Sequence, residues 1–197
     1  MITGERVRFR AVERDDLPTF VKWLNDPEVR QGILIYHPFS QAEEENWYEG
    51  MLKHPIDEHV LGIEVRLPSE RVGMPKLEGE TSTQAEEEHW KLIGSLAFTN
   101  VDWRNRSSEF GIMIGDKAYW NQGYGTEAVH LLVKHGFNTL NLNRIFLHVF
   151  ENNPRAIRAY EKAGFVHEGK LRQAEFKDGM YIDILVMSIL KDEFLQG

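Results

Sequence analysis

The chain has 197 residues, a formal charge of −8, 42% hydrophobic and 27% charged residues, and no cysteine. This composition suits one globular domain over residues 1–197 and excludes a disordered or fibrous chain. The acidic balance argues against nucleic acid as a partner, since phosphate binding needs clustered Lys and Arg, and mildly favours a cationic substrate. Without cysteine there is no disulfide, thiolate metal site or thiol nucleophile. The polar start Met1-Ile2-Thr3-Gly4-Glu5-Arg6 lacks the apolar core of a signal peptide, and no run of about 18 apolar residues occurs. A cytoplasmic protein with no membrane partner is expected; a homo-oligomer is left open.

Residues 6–11 alternate Val7 and Phe9 with Arg6, Arg8 and Arg10, the pattern of a half-buried strand, and residues 13–24 place Leu17, Phe20, Val21 and Leu24 at helical spacing. Asn25-Asp26-Pro27 stops that helix. A second begins after Ser40, an N-cap with Glu43 as capping-box partner, and carries Trp47 and Leu52 on its apolar side. Residues 60–65, 92–100 and 109–114 read as strands of a meander. Between the first two, the polar stretch 68–88 reads as an exposed insertion.

A helix is predicted from Gly123 to about residue 138, with Ala128 and Leu132, and Val129 and Val133, at four-residue spacing. Residues 144–150 form a strand. Asn153 before Pro154 is an N-cap and first-turn pair, and Gly164 closes the helix that follows. Residues 165–176 and 181–189 are two last strands joined by a Lys177-Asp178-Gly179 turn.

Chemistry concentrates in two segments. Tyr119-Trp120-Asn121-Gln122-Gly123-Tyr124-Gly125-Thr126-Glu127 leads from a strand into a helix, so its backbone N–H groups gather at a helix N-terminus, where phosphate binds. The third glycine of a dinucleotide fingerprint and the Lys of a P-loop are both missing, so NAD and ATP are disfavoured. By itself the turn also fits a plain strand-to-helix connection. The second segment, Glu151-Asn152-Asn153-Pro154 through Tyr160 to Gly164-Phe165, sets Asn153 and Tyr160 almost two turns apart on one helix face, about 10 Å along the axis.

These segments, with Arg8-Phe9-Arg10, Asp15-Asp16-Leu17, Asn25-Asp26-Pro27-Glu28-Val29 and Ser108-Glu109-Phe110-Gly111-Ile112-Met113-Ile114, resemble the GNAT N-acetyltransferase superfamily over nearly the whole chain. The likeness is to the branch holding ribosomal-protein alanine acetyltransferases and spermidine acetyltransferases. The acyl-CoA signature of the family, Arg/Gln-x-x-Gly-x-Gly/Ala, maps onto Gly123 and Gly125, with Trp120 at its first position. The resemblance implies an α+β fold with a mixed, mostly antiparallel sheet of about seven strands, splayed at the fourth and fifth and flanked by about four helices. It implies acetyl-CoA as co-substrate, held by Gln122, Gly123, Tyr124, Gly125 and Thr126 at the pyrophosphate, by Ile112, Met113 and Ile114 along the pantetheine arm, and by Asn153, Ala156 and Tyr160.

The implied reaction is direct attack of a primary amine on the thioester in a ternary complex, which requires no metal. Tyr160 is the candidate acid for the departing thiolate and Glu109 the candidate base, although the family often relies on water instead. His148, mid-strand, reads first as a packed or hydrogen-bonded histidine. Trp23, Tyr36, His37, Trp47 and Phe110 are candidate acceptor contacts. The acidic pair that spermidine acetyltransferases carry near Tyr36-His37 is missing here, while Glu43, Glu44 and Glu45 keep negative charge nearby. The acceptor therefore stays open between a protein N-terminus and a small amine such as a polyamine or aminoglycoside. A non-catalytic acyl-CoA-binding module is the alternative to an enzyme.

Overall fold

A computed structural model describes residues 1–67 and 89–196, so the predicted insertion at 68–88 lies outside the described residues. The sheet has eight strands in the order β1-β2-β3-β4-β5-β6-β8-β7. They are β1 (Ile2–Thr3), β2 (Val7–Ala11), β3 (Leu61–Arg66), β4 (Trp90–Asp102), β5 (Ser107–Ile114), β6 (Arg144–Phe150), β7 (Val166–Lys177) and β8 (Met180–Leu190). The helices are α1 (Leu17–Leu24), α2 (Pro27–Arg30), α3 (Gln41–Met51), α4 (Tyr124–Asn138), α5 (Pro154–Lys162) and α6 (Lys191–Gln196).

The expected fold class stands, with β1, α2 and α6 as additions. Each is short, six residues at most, too short for a hydrophobic period to register. The first predicted helix also divides. Its first turn, Arg14–Asp16, is a 3₁₀ segment in which Glu13 and Asp16 form a reciprocal cap, and α1 follows it.

Strand alternation distributes the core over two faces of the sheet. Ile93 packs with Phe98, Phe110 and the α4 residues Ala128, Val129, Leu132 and Val133. Its neighbour Leu92 packs with the other cluster, where Phe20 and Trp23 of α1 meet Tyr48 and Met51 of α3. Two glycines permit close approach. A Cβ on Gly115 would lie 2.1 Å from the Trp23 ring, and one on Gly94 would lie 2.1 Å from the Met113 carbonyl.

At the β2–β3 pairing, Arg8 sits directly opposite Glu64. The nearly buried Glu64 carboxylate accepts from Arg8 Nε at 2.7 Å and from Arg10 Nε at 2.8 Å, while Arg10 forks onto Asp16 at 2.6 and 2.8 Å. Burial alone would raise the Asp16 pKa, but the Arg10 guanidinium holds it below its ordinary value. This charge-assisted network fixes the strand register and ties the first turn to the sheet.

All neighbouring strands are antiparallel except one pair. β5 and β6 run parallel and are matched only at Ser107 with Arg144, Ser108 with Ile145 and Glu109 with Phe146. Beyond Glu109 they part, β5 staying on β4 and β6 on β8. The short β1 makes these the fifth and sixth strands in chain order. Among the described residues no helix is long and apolar enough to cross a membrane.

Replacing Glu64 by Ala leaves two guanidinium groups facing an emptied, nearly buried position. A loss of about 2–3 kcal/mol in urea unfolding is expected, with the m-value unchanged.

Candidate active site

The gap between β5 and β6 opens into two cavities that share Gly32, Ile33, Ile112, Met113 and Tyr160. The first is framed by the end of β5, the start of α4 and the length of α5. Gly123 is the N-cap of α4, with φ of 85° in the left-handed region that favours glycine. The first intrahelical bond from this turn is Glu127 N–H to the Gly123 carbonyl. The preceding N–H groups of Tyr124, Gly125 and Thr126 are thus free of the helix ladder, at the positive end of its dipole. A Cβ on Gly125 would meet only Ile114, at an ordinary 3.8 Å. Packing inside the protein does not demand glycine there, and its missing side chain leaves the cavity floor open.

Arg6 and Glu127 brace this turn. Glu127 accepts from the Arg6 and Val7 N–H groups at 2.7 and 3.1 Å and from Arg6 Nε at 2.7 Å, while Arg6 also reaches the Gln122 carbonyl at 3.3 Å. Trp120 joins three parts of the wall. Its indole N–H donates to the Ile114 carbonyl at 2.7 Å, and its ring lies 3.5 Å beneath the Arg155 guanidinium of α5. Arg155, Arg158 and Lys162 all line this cavity, and no Asp or Glu does among the described residues. At the head of α5, Asn153 Oδ1 accepts from Ala156 N–H at 3.2 Å, as the Asn-Pro pair predicts.

The second cavity, of about 860 Å³, lies on the opposite side of Tyr160. Its walls come from α1, the 31–39 loop, α3 and β4 to β8, with Phe20, Leu24, Ile33, Phe39, Trp47 and Phe110 as apolar lining. The loop is held at both ends. Asn25 exchanges hydrogen bonds with Phe39 at 2.7 and 2.9 Å. Buried Lys177, whose pKa burial lowers, donates to the carbonyls of Arg30, Gln31 and Ile33. Gly111 also lines the cavity, and a Cβ there would meet nothing within 4 Å.

Three carboxylates line this cavity, Glu44, Glu109 and Glu175, and no Lys or Arg does among the described residues. Glu109 Oε1 lies 2.7 Å from His148 Nδ1. With the proton on Nδ1, His148 donates to Glu109 and leaves Nε2 as an acceptor. Glu44 is 3% exposed, and burial pushes its carboxyl up to about 7. Tyr160, packed edge-on against Phe110 at 5.9 Å, is pushed up to about 12 by burial and so keeps its proton at neutral pH.

The sequence-predicted residues divide by position. Ile112, Met113, Ile114, Gly123, Gly125, Thr126, Asn153, Ala156 and Tyr160 line the first cavity. Trp47, Phe110, Glu109 and His148 line the second. Gln122 and Tyr124 lie at the turn but line neither; Gln122 donates to the Ala118 carbonyl, and Tyr124 packs beneath Arg6. Trp23 also lines neither, being 7% exposed in the core. Tyr36 stands outside the wall and reaches it through its hydroxyl, which donates to Glu175 at 2.9 Å; His37 is exposed and lines neither cavity.

Residues 6–166 match the family model described as an acetyltransferase (GNAT) domain. The chain belongs to the GNAT acetyltransferase family. Among its relatives is the spermidine N(1)-acetyltransferase of Vibrio cholerae, 34% identical over 192 residues, which are 98% of this chain and 97% of that one. An uncharacterized N-acetyltransferase p20 of Bacillus licheniformis is 29% identical, over 96% of each. The crystal structure of the Vibrio cholerae spermidine N-acetyltransferase in complex with CoA and spermine superposes with a TM-score of 0.78 at 27% identity, covering 98% of this chain and 99% of that one. The protein is therefore an acetyl-CoA-dependent N-acetyltransferase.

Sequence reading of this acetyltransferase passed over the lining residues Arg155, Arg158 and Lys162, and named Glu44 only as one of three neighbouring glutamates. The first three follow i, i+3 and i+7 spacing, which sets them along one side of α5, a signal present in the sequence. Glu44 had no such signal, because three consecutive glutamates do not show which one turns inward.

Trp120→Ala removes both the tie to β5 and the platform under Arg155; KM for acetyl-CoA is expected to rise about tenfold in steady-state assays while kcat changes little. Glu44→Gln tests the buried carboxyl. Its folded pKa, about 7, lies above the ordinary value of 4.5, so the native state binds a proton that the unfolded state releases. Wild-type stability is thus lost as pH rises from 4.5 through 7. The variant should exceed wild type by about 1–3 kcal/mol in urea unfolding at pH 8 and match it near pH 4.

Proposed function

We propose that this acetyltransferase moves the acetyl group of acetyl-CoA to a primary amine of a polyamine by direct attack in a ternary complex, with residues 1–197 acting as one domain. The observation that carries the reading is the division of charge across Tyr160. Basic Arg155, Arg158 and Lys162 line one cavity, and acidic Glu44, Glu109 and Glu175 line the other. A polyanionic cofactor and a polycationic acceptor would each find opposite charge on its own side. The spermidine acetyltransferase relatives and the neighbouring structure with CoA and spermine support the same acceptor class.

Bound acetyl-CoA supplies the activated thioester. The N–H groups at the start of α4 and the cations of α5 fit its phosphates. The unpaired edge of β5 at Ile112 to Ile114 fits the amides of its extended arm. Attack requires a neutral nitrogen, and the Glu109–His148 pair is the group in the acceptor cavity able to take the ammonium proton. Tyr160, kept protonated by burial, borders both cavities and is the donor for the departing sulfur. Its hydroxyl makes no other hydrogen bond among the described residues, so no stronger acceptor competes for that proton.

A panel of spermidine, an aminoglycoside and a peptide with N-terminal Ala tests the acceptor. Spermidine should give the highest kcat/KM. The reading falls if the peptide leads, or if no amine releases CoA although CoA raises the melting temperature, which would mark a binding module. Tyr160→Phe should lower kcat about 100-fold and leave the calorimetric Kd for CoA unchanged.

A further inference from the structure

Among the described residues Lys177 is the only lysine or arginine that is buried. No carboxylate pairs with it there. Its ammonium has three N–H donors and meets three backbone carbonyls instead, donating to Arg30, to Gln31 at 3.2 Å and to Ile33 at 2.7 Å. The ring of Phe150, which lines the acceptor cavity, lies 5.0 Å away. Desolvating an ammonium is costly, and a two-residue hairpin turn does not require one beside it. The donors of this group are all directed at one loop.

Residues 33–39 of that loop belong to no helix or strand, yet Ile33, Leu34, Ile35 and Phe39 line the acceptor cavity. No backbone ladder holds this wall, so side chains must. Asn25 holds it at Phe39, and Arg30 donates to the Ile35 carbonyl at 3.1 Å. Lys177 joins its start to the sheet. Lys177 pairs with Met180 across the Asp178-Gly179 turn, where φ is 50° and 81°, and β8 in turn pairs with β6 from Ile184 onward. Two residues earlier on the same face of β7, Glu175 accepts from Tyr36 of the loop. The head of α2 is held separately, by the Asp26 cap and by Lys117, which pairs with Asp26 at 2.8 Å and Glu28 at 2.7 Å.

We infer that Lys177 is a positioning residue for the acceptor. By gathering three carbonyls it holds the 31–39 loop in place as a wall of the acceptor cavity, so binding of the amine depends on a side chain that does not line that cavity. The inference rests on the reading above that the second cavity takes the acceptor. A wall already in place asks no ordering free energy of the incoming amine. A released loop adopts that shape only part of the time, and apparent affinity falls by the same fraction.

The test uses Lys177→Met, which keeps the length of the side chain and removes its charge and donors, with Lys177→Gln as a second variant should the first not fold. In steady-state assays the KM for spermidine should rise about tenfold, while kcat and the calorimetric Kd for CoA stay within about twofold of wild type. Amide hydrogen exchange should quicken in peptides from residues 31–39 and stay unchanged in α4 and α5. A loop that exchanges faster while the spermidine KM is unchanged overturns the inference and leaves the acceptor reading intact. A parallel loss of kcat and CoA affinity, or two variants that both fail to bind CoA, also overturns it, because the side chain would then serve the fold as a whole. If wild type releases no CoA with spermidine, the acceptor reading itself fails and takes this inference with it.

Discussion

The structure turns on two parallel strands that cease to pair. β5 and β6 share a ladder only as far as Glu109 and Phe146, and each then continues with one edge lacking a strand partner. Unpaired backbone groups within a sheet are unfavourable unless something else satisfies them. Here the parting opens two cavities and leaves a row of backbone donors and acceptors along one edge of β5. α5 starts directly after β6 and carries Tyr160 to the point where the cavities meet. The position of the candidate acid is therefore a consequence of the splay, not a separate device.

Electrostatics then gives the two openings different characters. Cations along α5 and free N–H groups at the head of α4 face one side, and carboxylates from α3, β5 and β7 face the other. Tyr160 lies between them in a desolvated setting that keeps its phenol neutral. A neutral acid at the boundary is insensitive to either field, whereas a charged acid there would be pulled toward one side. Trp120 shows how the family signature can lose its first side chain without losing the loop. The indole supplies a tie to β5 and a surface for a guanidinium, and the N–H groups at the start of α4 are backbone groups that any sequence provides.

Much of this was legible in the amino acids, for identifiable reasons. Caps are local, so Ser40 with Glu43 and Asn153 with Pro154 could be read directly, as could the glycines of the α4 turn. Strand alternation and the four-residue pairs of α4 carried the order of elements. What escaped depended on tertiary placement. A buried tryptophan packed under Gly115 and one lining a cavity look alike in a linear pattern, so Trp23 and Trp47 could not be told apart. Neither could the inward Glu44 be distinguished from its neighbours, because the phase of a short helix is set by what it packs against. The tie from Lys177 to the carbonyls after α2 spans more than 140 residues, and no local signal encodes it.

Gly111 lines the acceptor cavity at a point where a Cβ would touch nothing, and it lies on a strand fixed by its pairing to β4. The width of that chamber is thus set in part by an absent side chain and not by the course of the backbone. Substrate range in this scaffold can consequently evolve by single replacements at one codon. Each added methyl or branch would subtract volume from the acceptor side while leaving the cofactor side untouched. Divergence toward narrower amines would need no rearrangement of the sheet.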